Sequence, residues 1–376
     1  MSLWQRLRRL LKFVNQHKGF RSNSLKSFLS LFLVGTVLSL AIAGCSGNGN
    51  SQIRTDANLV SANKKDVAIT LVSFTVTRAA YDQIIPKFRE KWKKEQNQNV
   101  SIRTSYGASG SQTRGVIDGL PADIVHLALA LDTSRIEEAG LIQPGWEQEV
   151  PNNGIVTSSV AALVTREGNP KDINNWADLA KDGVSFITAD PKTSGVARWN
   201  LLALWNSAIK AGADETKATE FLAQAYSNVP ILTRDAREAT DAFFKQGQGD
   251  ALINYENELI LAGQKGEKIS YSVPLVNISI DNPIAVVDKN VDRHGNREVT
   301  EAFLKYLFTP EAQEEFAKVG FRPVNESVAQ NKEYKEKYPA VQNLAKVQDY
   351  GGWDEVQQKF FEDGAIFDQI QAKRTK

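Results

Sequence analysis

Short apolar, β-branched runs alternate with helically spaced segments along this chain, and that rhythm narrows the possible folds more than any other feature. Val67-Ala68-Ile69-Thr70-Leu71-Val72 reads as a strand. Tyr81, Ile84, Ile85, Phe88 and Trp92 then recur at helical spacing within residues 77–94. A strand at 100–104, a helix at 109–118, a buried strand at 124–130 and a helix at 132–139 closed by Gly140 continue the pattern. After Asn152-Asn153-Gly154 the alternation resumes with strands at 160–164, 185–187, 231–232, 251–253 and 284–287. Helices are expected at 194–210, 215–226, 236–245, 256–261, 299–308 and 311–319. No internal repeat is visible. This order predicts the α/β class, with mostly parallel sheets flanked by helices.

The single cysteine, Cys45, sits after an uncharged run, 27–44, that is preceded by Lys12, Lys18, Arg21 and Lys26. Ala41-Ile42-Ala43-Gly44-Cys45 resembles a bacterial lipoprotein cleavage signal. That reading removes residues 1–44 as a signal peptide, lipidates Cys45 and leaves 45–65 as a Ser/Gly/Asn-rich tether. An uncleaved membrane anchor is the alternative. Either places the body outside the cytoplasmic membrane.

The body is then roughly 330 residues, more than one hydrophobic core usually serves, so two lobes are expected. The sequence places lobe I at 66–159 and 283–370, and lobe II at 160–282. Crossovers fall near 160–164 and 283–287, and the cleft between lobes is the expected ligand site.

Composition excludes several chemistries. Net charge is +1, so no basic field argues for nucleic acid. With one cysteine in the chain, no intrachain disulfide, body thiol nucleophile or cysteine metal site can form. Only His126 and His294 lie in the body, and they form no close pair. His126 falls in a strand pattern and is expected in the core. His294 falls in Asp292-Arg293-His294-Gly295 and is expected in a solvated turn. Neither metal nor cofactor is expected, and a secreted sulfate or phosphate ester hydrolase is the weaker rival reading.

Three turns stand before expected helices: Tyr106-Gly107-Ala108-Ser109-Gly110-Ser111, Pro191-Lys192-Thr193-Ser194-Gly195-Val196 and Arg234-Asp235-Ala236-Arg237. A helix start exposes unpaired N–H groups and partial positive charge, and small residues let an anion approach them. Singly, such turns are ordinary caps. Converging on a cleft, they form an oxyanion site without a cationic side chain. Arg198 and Arg237 are expected to pair with carboxylates, and Lys192 to be solvated at the rim. Asp123 and Asp132 should tie loops, and Trp92, Trp176, Trp199, Trp205 and Trp353 should anchor cores.

Ordered matches run from about residue 68 to 370. They include Leu71-Val72-Ser73-Phe74, Ser105-Tyr106-Gly107-Ala108-Ser109-Gly110, Trp176-Ala177-Asp178-Leu179, Tyr255-Glu256-Asn257-Glu258 and Phe367-Asp368-Gln369-Ile370. The most specific stretch is Ile187-Thr188-Ala189-Asp190-Pro191-Lys192-Thr193-Ser194-Gly195-Val196-Ala197-Arg198-Trp199-Asn200. On these residues the chain resembles the periplasmic sulfate-binding proteins of ABC importers, cyanobacterial forms among them. The resemblance implies the type II periplasmic-binding-protein fold, two α/β lobes with the ligand in the interlobe cleft. It implies capture of sulfate or thiosulfate without catalysis. The implied setting is a periplasmic, lipid-anchored monomer working with a permease pair and its ATPase. The implied ligand-binding residues are Thr75 (backbone N–H), Ser109 (hydroxyl), Ser194, Gly195, Val196, Ala236 (backbone N–H) and Tyr255. Three positions depart from the pattern. Thr75 stands where the family often has Asp, Val196 where it has a second glycine, and Tyr255 where it has a donor-only Trp. These departures keep other tetrahedral oxyanions, such as molybdate, phosphate or selenate, open as ligands, and an anion sensor as a further role.

Overall fold

The computed structural model describes residues 65–338 and 340–374. The signal-peptide, lipidation and tether expectations up to residue 64 lie outside the described residues.

The chain begins β1 (Val67–Phe74), α1 (Arg78–Gln96), β2 (Val100–Gly107), α2 (Ser109–Ile117), β3 (Ile124–His126) and α3 (Ala130–Glu138). It continues β4 (Ile155–Thr165), β5 (Phe186–Ala189), α4 (Gly195–Lys210), α5 (Glu215–Ser227), β6 (Leu232–Thr233) and α6 (Ala236–Phe244). Then come β7 (Ala251–Tyr255), α7 (Glu256–Gln264), β8 (Tyr271–Ser272) and β9 (Val276–Val286). The helices α8 (Asp288–His294), α9 (Arg297–Tyr306) and α10 (Pro310–Lys318) follow. The strands order as β2-β1-β3-β9-β4-β7-β5-β6, the α/β arrangement expected from the alternation. β1 pairs in parallel with β2 and β3, and β5 in parallel with β6 and β7. β4 and β9, which run between the two groups, pair antiparallel with each other.

Each group of strands buries both faces, as a helix-covered parallel sheet must. In β1, Ile69 and Leu71 enter the cluster that holds Tyr81 and Phe88 of α1, while Val72 faces the cluster of Val116, Val125 and Ile136. In the second group Leu163, Phe186 and Ile253 share a cluster with Trp199, Leu202 and Tyr226. Ala162, Ile187 and Leu252 pack instead with Ala239 and Phe243. This period-two division is why a one-residue register slip would turn each strand inside out. Each fully buried large apolar side chain contributes about 1.5–3 kcal/mol.

Several expectations need correction. The apolar run at 124–130 is strand only to His126, and helix begins at Ala130. Ala128 and Leu129 are buried, but in the strand-to-helix turn, because an apolar run reports burial and not conformation. β9 spans eleven residues, whereas only its end, 284–287, is legible as strand. Asn277, Asp281 and Asn282 hide the rest, two of them buried. The Asn277 amide donates to Ala161 O at 2.7 Å and its Oδ1 accepts from Ala161 N at 3.1 Å. The side chain thus replaces a backbone partner where β4 and β9 part. Ile231 is exposed and the strand there starts at Leu232.

His294 closes α8 rather than lying in a turn; it is exposed, as expected, and its Nδ1 is 2.7 Å from Asp123 Oδ1. The segment after residue 350, placed with lobe I in the sequence reading, packs on α4 and α5. Phe367 meets Tyr226 edge-on at 5.9 Å, Phe360 meets Trp205 at 5.0 Å, and Lys192 Nζ lies 2.8 Å from Asp368. Lys192 stays exposed, as expected, with this ion pair to Asp368 added.

Candidate functional site

Four helices and one short turn start around a single cavity. Its lining includes Phe74, Thr75, Ala108, Ser109, Ala128, Ser194, Gly195, Asp235, Ala236 and Tyr255. Ala108 precedes α2, Ser194 precedes α4, Asp235 precedes α6 and Tyr255 precedes α7. Thr75 opens the turn Thr75–Thr77 between β1 and α1. The reason is topological: strands of a parallel sheet feed helices at their carboxyl ends, so helix starts gather at one edge.

Three of these helices receive no hydrogen bond from their cap side chain: α2, α4 and α7. Their leading N–H groups therefore have no side-chain cap, although in α2 Ser111 N already donates to Ala108 O at 2.9 Å. α6 differs, because Asp235 Oδ1 accepts from Glu238 N at 2.9 Å. Among the described residues lining the cavity there is no Lys or Arg. Tyr255 is buried, and its hydroxyl has no hydrogen-bond partner among the described residues. Burial, with the nearby charge of Asp132, raises the Tyr255 pKa well above the ordinary phenol value, so the group stays a neutral O–H.

Six of the seven residues singled out from the sequence line the cavity: Thr75, Ser109, Ser194, Gly195, Ala236 and Tyr255. Val196 is not in that lining; its side chain is buried in the core. Only its N–H, in the first turn of α4, faces the same helix end. The Ser109 hydroxyl differs from expectation. It donates to Asp132 Oδ2 at 2.6 Å and accepts from Ala128 N at 2.9 Å, so its one proton is engaged. What Ser109 leaves for a ligand is its backbone N–H.

The charged residues nearby hold the frame. Arg198 was expected to pair with a carboxylate. Instead it donates to Pro191 O at 2.9 Å and Gln357 Oε1 at 2.9 Å. Arg237 grips Glu258 with both Nε and Nη2, the latter at 2.9 Å from Oε2. Asp123 accepts from Thr70 N at 2.7 Å, a loop tie as expected. Trp199 donates to Ala128 O at 2.9 Å, which joins α4 to the first strand group.

No sequence signal marks the network beneath the cavity. Tyr81 Oη meets His126 Nδ1 at 2.8 Å, and His126 Nε2 meets Thr157 Oγ1 at 3.2 Å. Thr157 donates to Asn282 Oδ1 at 3.1 Å, and Asn282 donates to Ala128 O at 3.1 Å. This chain of bonds passes through β4 and β9, the two strands that run between the groups. Burial pushes the His126 imidazole down to about 3, so it is neutral.

Two helix-covered sheets joined by paired crossover strands, with a small donor-lined cavity between them, define a bilobal ligand-binding protein. Residues 69–322 match the family described as bacterial extracellular solute-binding protein, and the chain belongs to that family. It is 55% identical to the sulfate-binding protein of Synechococcus elongatus over 347 residues, 92% of this chain and 96% of that one. It is 38% identical to the thiosulfate-binding protein of Pseudomonas aeruginosa, over 80% of this chain and 90% of that one. The solved sulfate-binding protein SubI of Mycobacterium tuberculosis superposes with a TM-score of 0.72 at 36% identity, covering 79% of this chain and all of that one.

Proposed function

We propose that this protein captures sulfate, with thiosulfate as a second substrate, outside the cytoplasmic membrane and hands it to an ABC importer. It is a transport binding protein and not an enzyme. What carries the reading is the convergence of uncapped helix starts on a cavity without a lining cation, beside an unpartnered Tyr255 hydroxyl. The similarity to relatives named for sulfate and thiosulfate supports the same ligand class.

The ligand set we assign is the N–H groups of Thr75, Ser109, Gly195, Val196 and Ala236, with the hydroxyls of Ser194 and Tyr255. Dehydrating a dianion is very costly unless its oxygens are hydrogen-bonded again. Each bond to a charged group contributes roughly 1.5–3 kcal/mol net, and micromolar affinity needs about 8 kcal/mol. A handful of fixed N–H and O–H donors therefore suffices, and helix dipoles add to them. Selectivity follows from proton count. Sulfate needs donors only, whereas the proton of hydrogen phosphate needs an acceptor.

Closure belongs to the mechanism. Trp199 of α4 holds Ala128 O, and Thr75 Oγ1 donates to Asp235 Oδ2 at 3.2 Å across the cavity. A ligand touching both sides favours this closed arrangement, because only differential affinity shifts a conformational equilibrium. The partners would be a permease pair with its ATPase, and a lipid on Cys45 would hold the protein at the membrane as a monomer.

Calorimetric titration tests the reading. The protein is unfolded and refolded to strip bound anion, then titrated separately with sulfate, thiosulfate, molybdate and phosphate at neutral pH. One-to-one sulfate binding is expected. Heat from molybdate with none from sulfate would overturn the ligand assignment.

A further inference from the structure

Asp235 is the one charged residue among the described residues lining the cavity, and its charge has the sign of the proposed ligand. It is nearly fully buried. A bare carboxylate there would repel a dianion, and would be the acceptor that the proton of hydrogen phosphate requires. Neither of its oxygens is bare. Oδ1 caps α6 through Glu238 N at 2.9 Å, and Oδ2 accepts from Thr75 Oγ1 at 3.2 Å. Thr75 follows β1 and Asp235 precedes α6, so this bond spans the two strand groups. The other charged groups around Asp235 are Arg234, whose Nε lies 3.8 Å from Oδ2 and which is largely exposed, and Arg237, which is committed to Glu258.

We infer that Thr75 sets the oxyanion selectivity of this cavity, by keeping its hydroxyl on Oδ2 of Asp235 so that the closed site offers donors only. The inference rests on the oxyanion reading of the cavity and adds the residue that enforces it. With Asp235 covered, a protonated oxyanion must place its O–H against a donor, and a buried group left unpaired is penalised. With Asp235 uncovered, the same O–H gains a short, charge-assisted bond to a carboxylate. Tyr255 also has lone pairs, but they are present whether or not Thr75 carries a hydroxyl. A Thr75 effect therefore isolates Asp235.

The test is Thr75→Val, which keeps the shape and the backbone N–H and puts a methyl, which cannot donate, in place of the hydroxyl. Dissociation constants for sulfate and for phosphate are measured calorimetrically on stripped full-length protein, at a pH where monohydrogen phosphate predominates. The wild type is expected to reject phosphate. In Thr75→Val the ratio of phosphate to sulfate dissociation constants should fall by about tenfold or more, as one charge-assisted bond is gained and sulfate meets an uncovered charge. Thr75→Ser restores the hydroxyl and should restore the ratio. Adding Asp235→Asn to Thr75→Val should restore it too, because the amide oxygen keeps the α6 cap and turns an N–H to the cavity. Thr75→Ala is scored the same way if the valine variant does not fold. An unchanged ratio in Thr75→Val or Thr75→Ala, with sulfate still bound by the wild type, overturns the role of Thr75 alone. Wild-type protein that binds phosphate as tightly as sulfate also overturns it. Wild-type protein that binds no oxyanion overturns the parent reading and this one together.

Discussion

A Cβ placed on Gly195 would lie 2.5 Å from the Ala128 Cβ, well inside van der Waals contact. Gly195 opens α4 on one side of the cavity, and Ala128 belongs to the turn after β3 on the other. The glycine is there for close approach. Gly195→Ala should oppose closure by about 1–3 kcal/mol, the usual cost of overpacking, and weaken sulfate binding by roughly ten- to hundredfold. Titration and small-angle scattering check this together: affinity falls, and the ligand no longer compacts the molecule. Full affinity in the alanine variant would show that the closed contact contributes nothing.

Ser194→Asp separates the site from the fold. Asp is as good an N-cap as Ser, so α4 should form and thermal stability should hold. The new carboxylate would stand at a helix start assigned to the dianion, and sulfate binding should be lost. A variant that folds and still binds with wild-type affinity would remove Ser194 from the site.

Tyr255→Phe should move stability and affinity in opposite directions. The hydroxyl is buried without a partner among the described residues, and such a group costs about 1–3 kcal/mol. Its removal should leave the melting temperature of stripped protein unchanged or higher. Binding should weaken by about ten- to hundredfold, the loss of one bond to a charged ligand. Loss of stability without loss of affinity would make Tyr255 a core residue only.

His126 gives the protein an acid-sensitive frame. Its pKa falls from 6.5 to about 3 on folding because burial disfavours the imidazolium. The unfolded chain therefore binds this proton more readily than the folded one. The stabilising contribution is fully present above pH 6.5 and is lost as pH falls from there towards about 3. The slope should approach about 1.4 kcal/mol per pH unit from this one group. Denaturant unfolding at a series of pH values measures it, and His126→Gln should flatten the curve over that window. An equal slope in both proteins would assign the acid sensitivity elsewhere.

The strand and helix order was legible because both periodicities are strong where an element is buried on one side or two. The helix starts at Ser109, Gly195 and Ala236 were legible because small and cap-forming residues precede them. The limits appear where polar side chains do the work of the backbone. Asn277 and Asn282 conceal most of β9, since a buried amide that bonds across β4 looks, in sequence, like a loop residue. His294 looked like a turn residue because its partner, Asp123, lies 171 positions away.

The sequence by itself determined the α/β class, the helix starts that a ligand could use, and the absence of a thiol nucleophile or cysteine metal site in the body. Those are local matters of periodicity, capping and residue inventory. Only the tertiary structure decided which donors are free. It showed that the Ser109 proton is taken by Asp132, that Val196 turns its side chain into the core, and that the lone carboxylate of the cavity is covered by Thr75. Whether a donor is available depends on every neighbour within about 3 Å, and those neighbours come from distant parts of the chain only when the lobes meet.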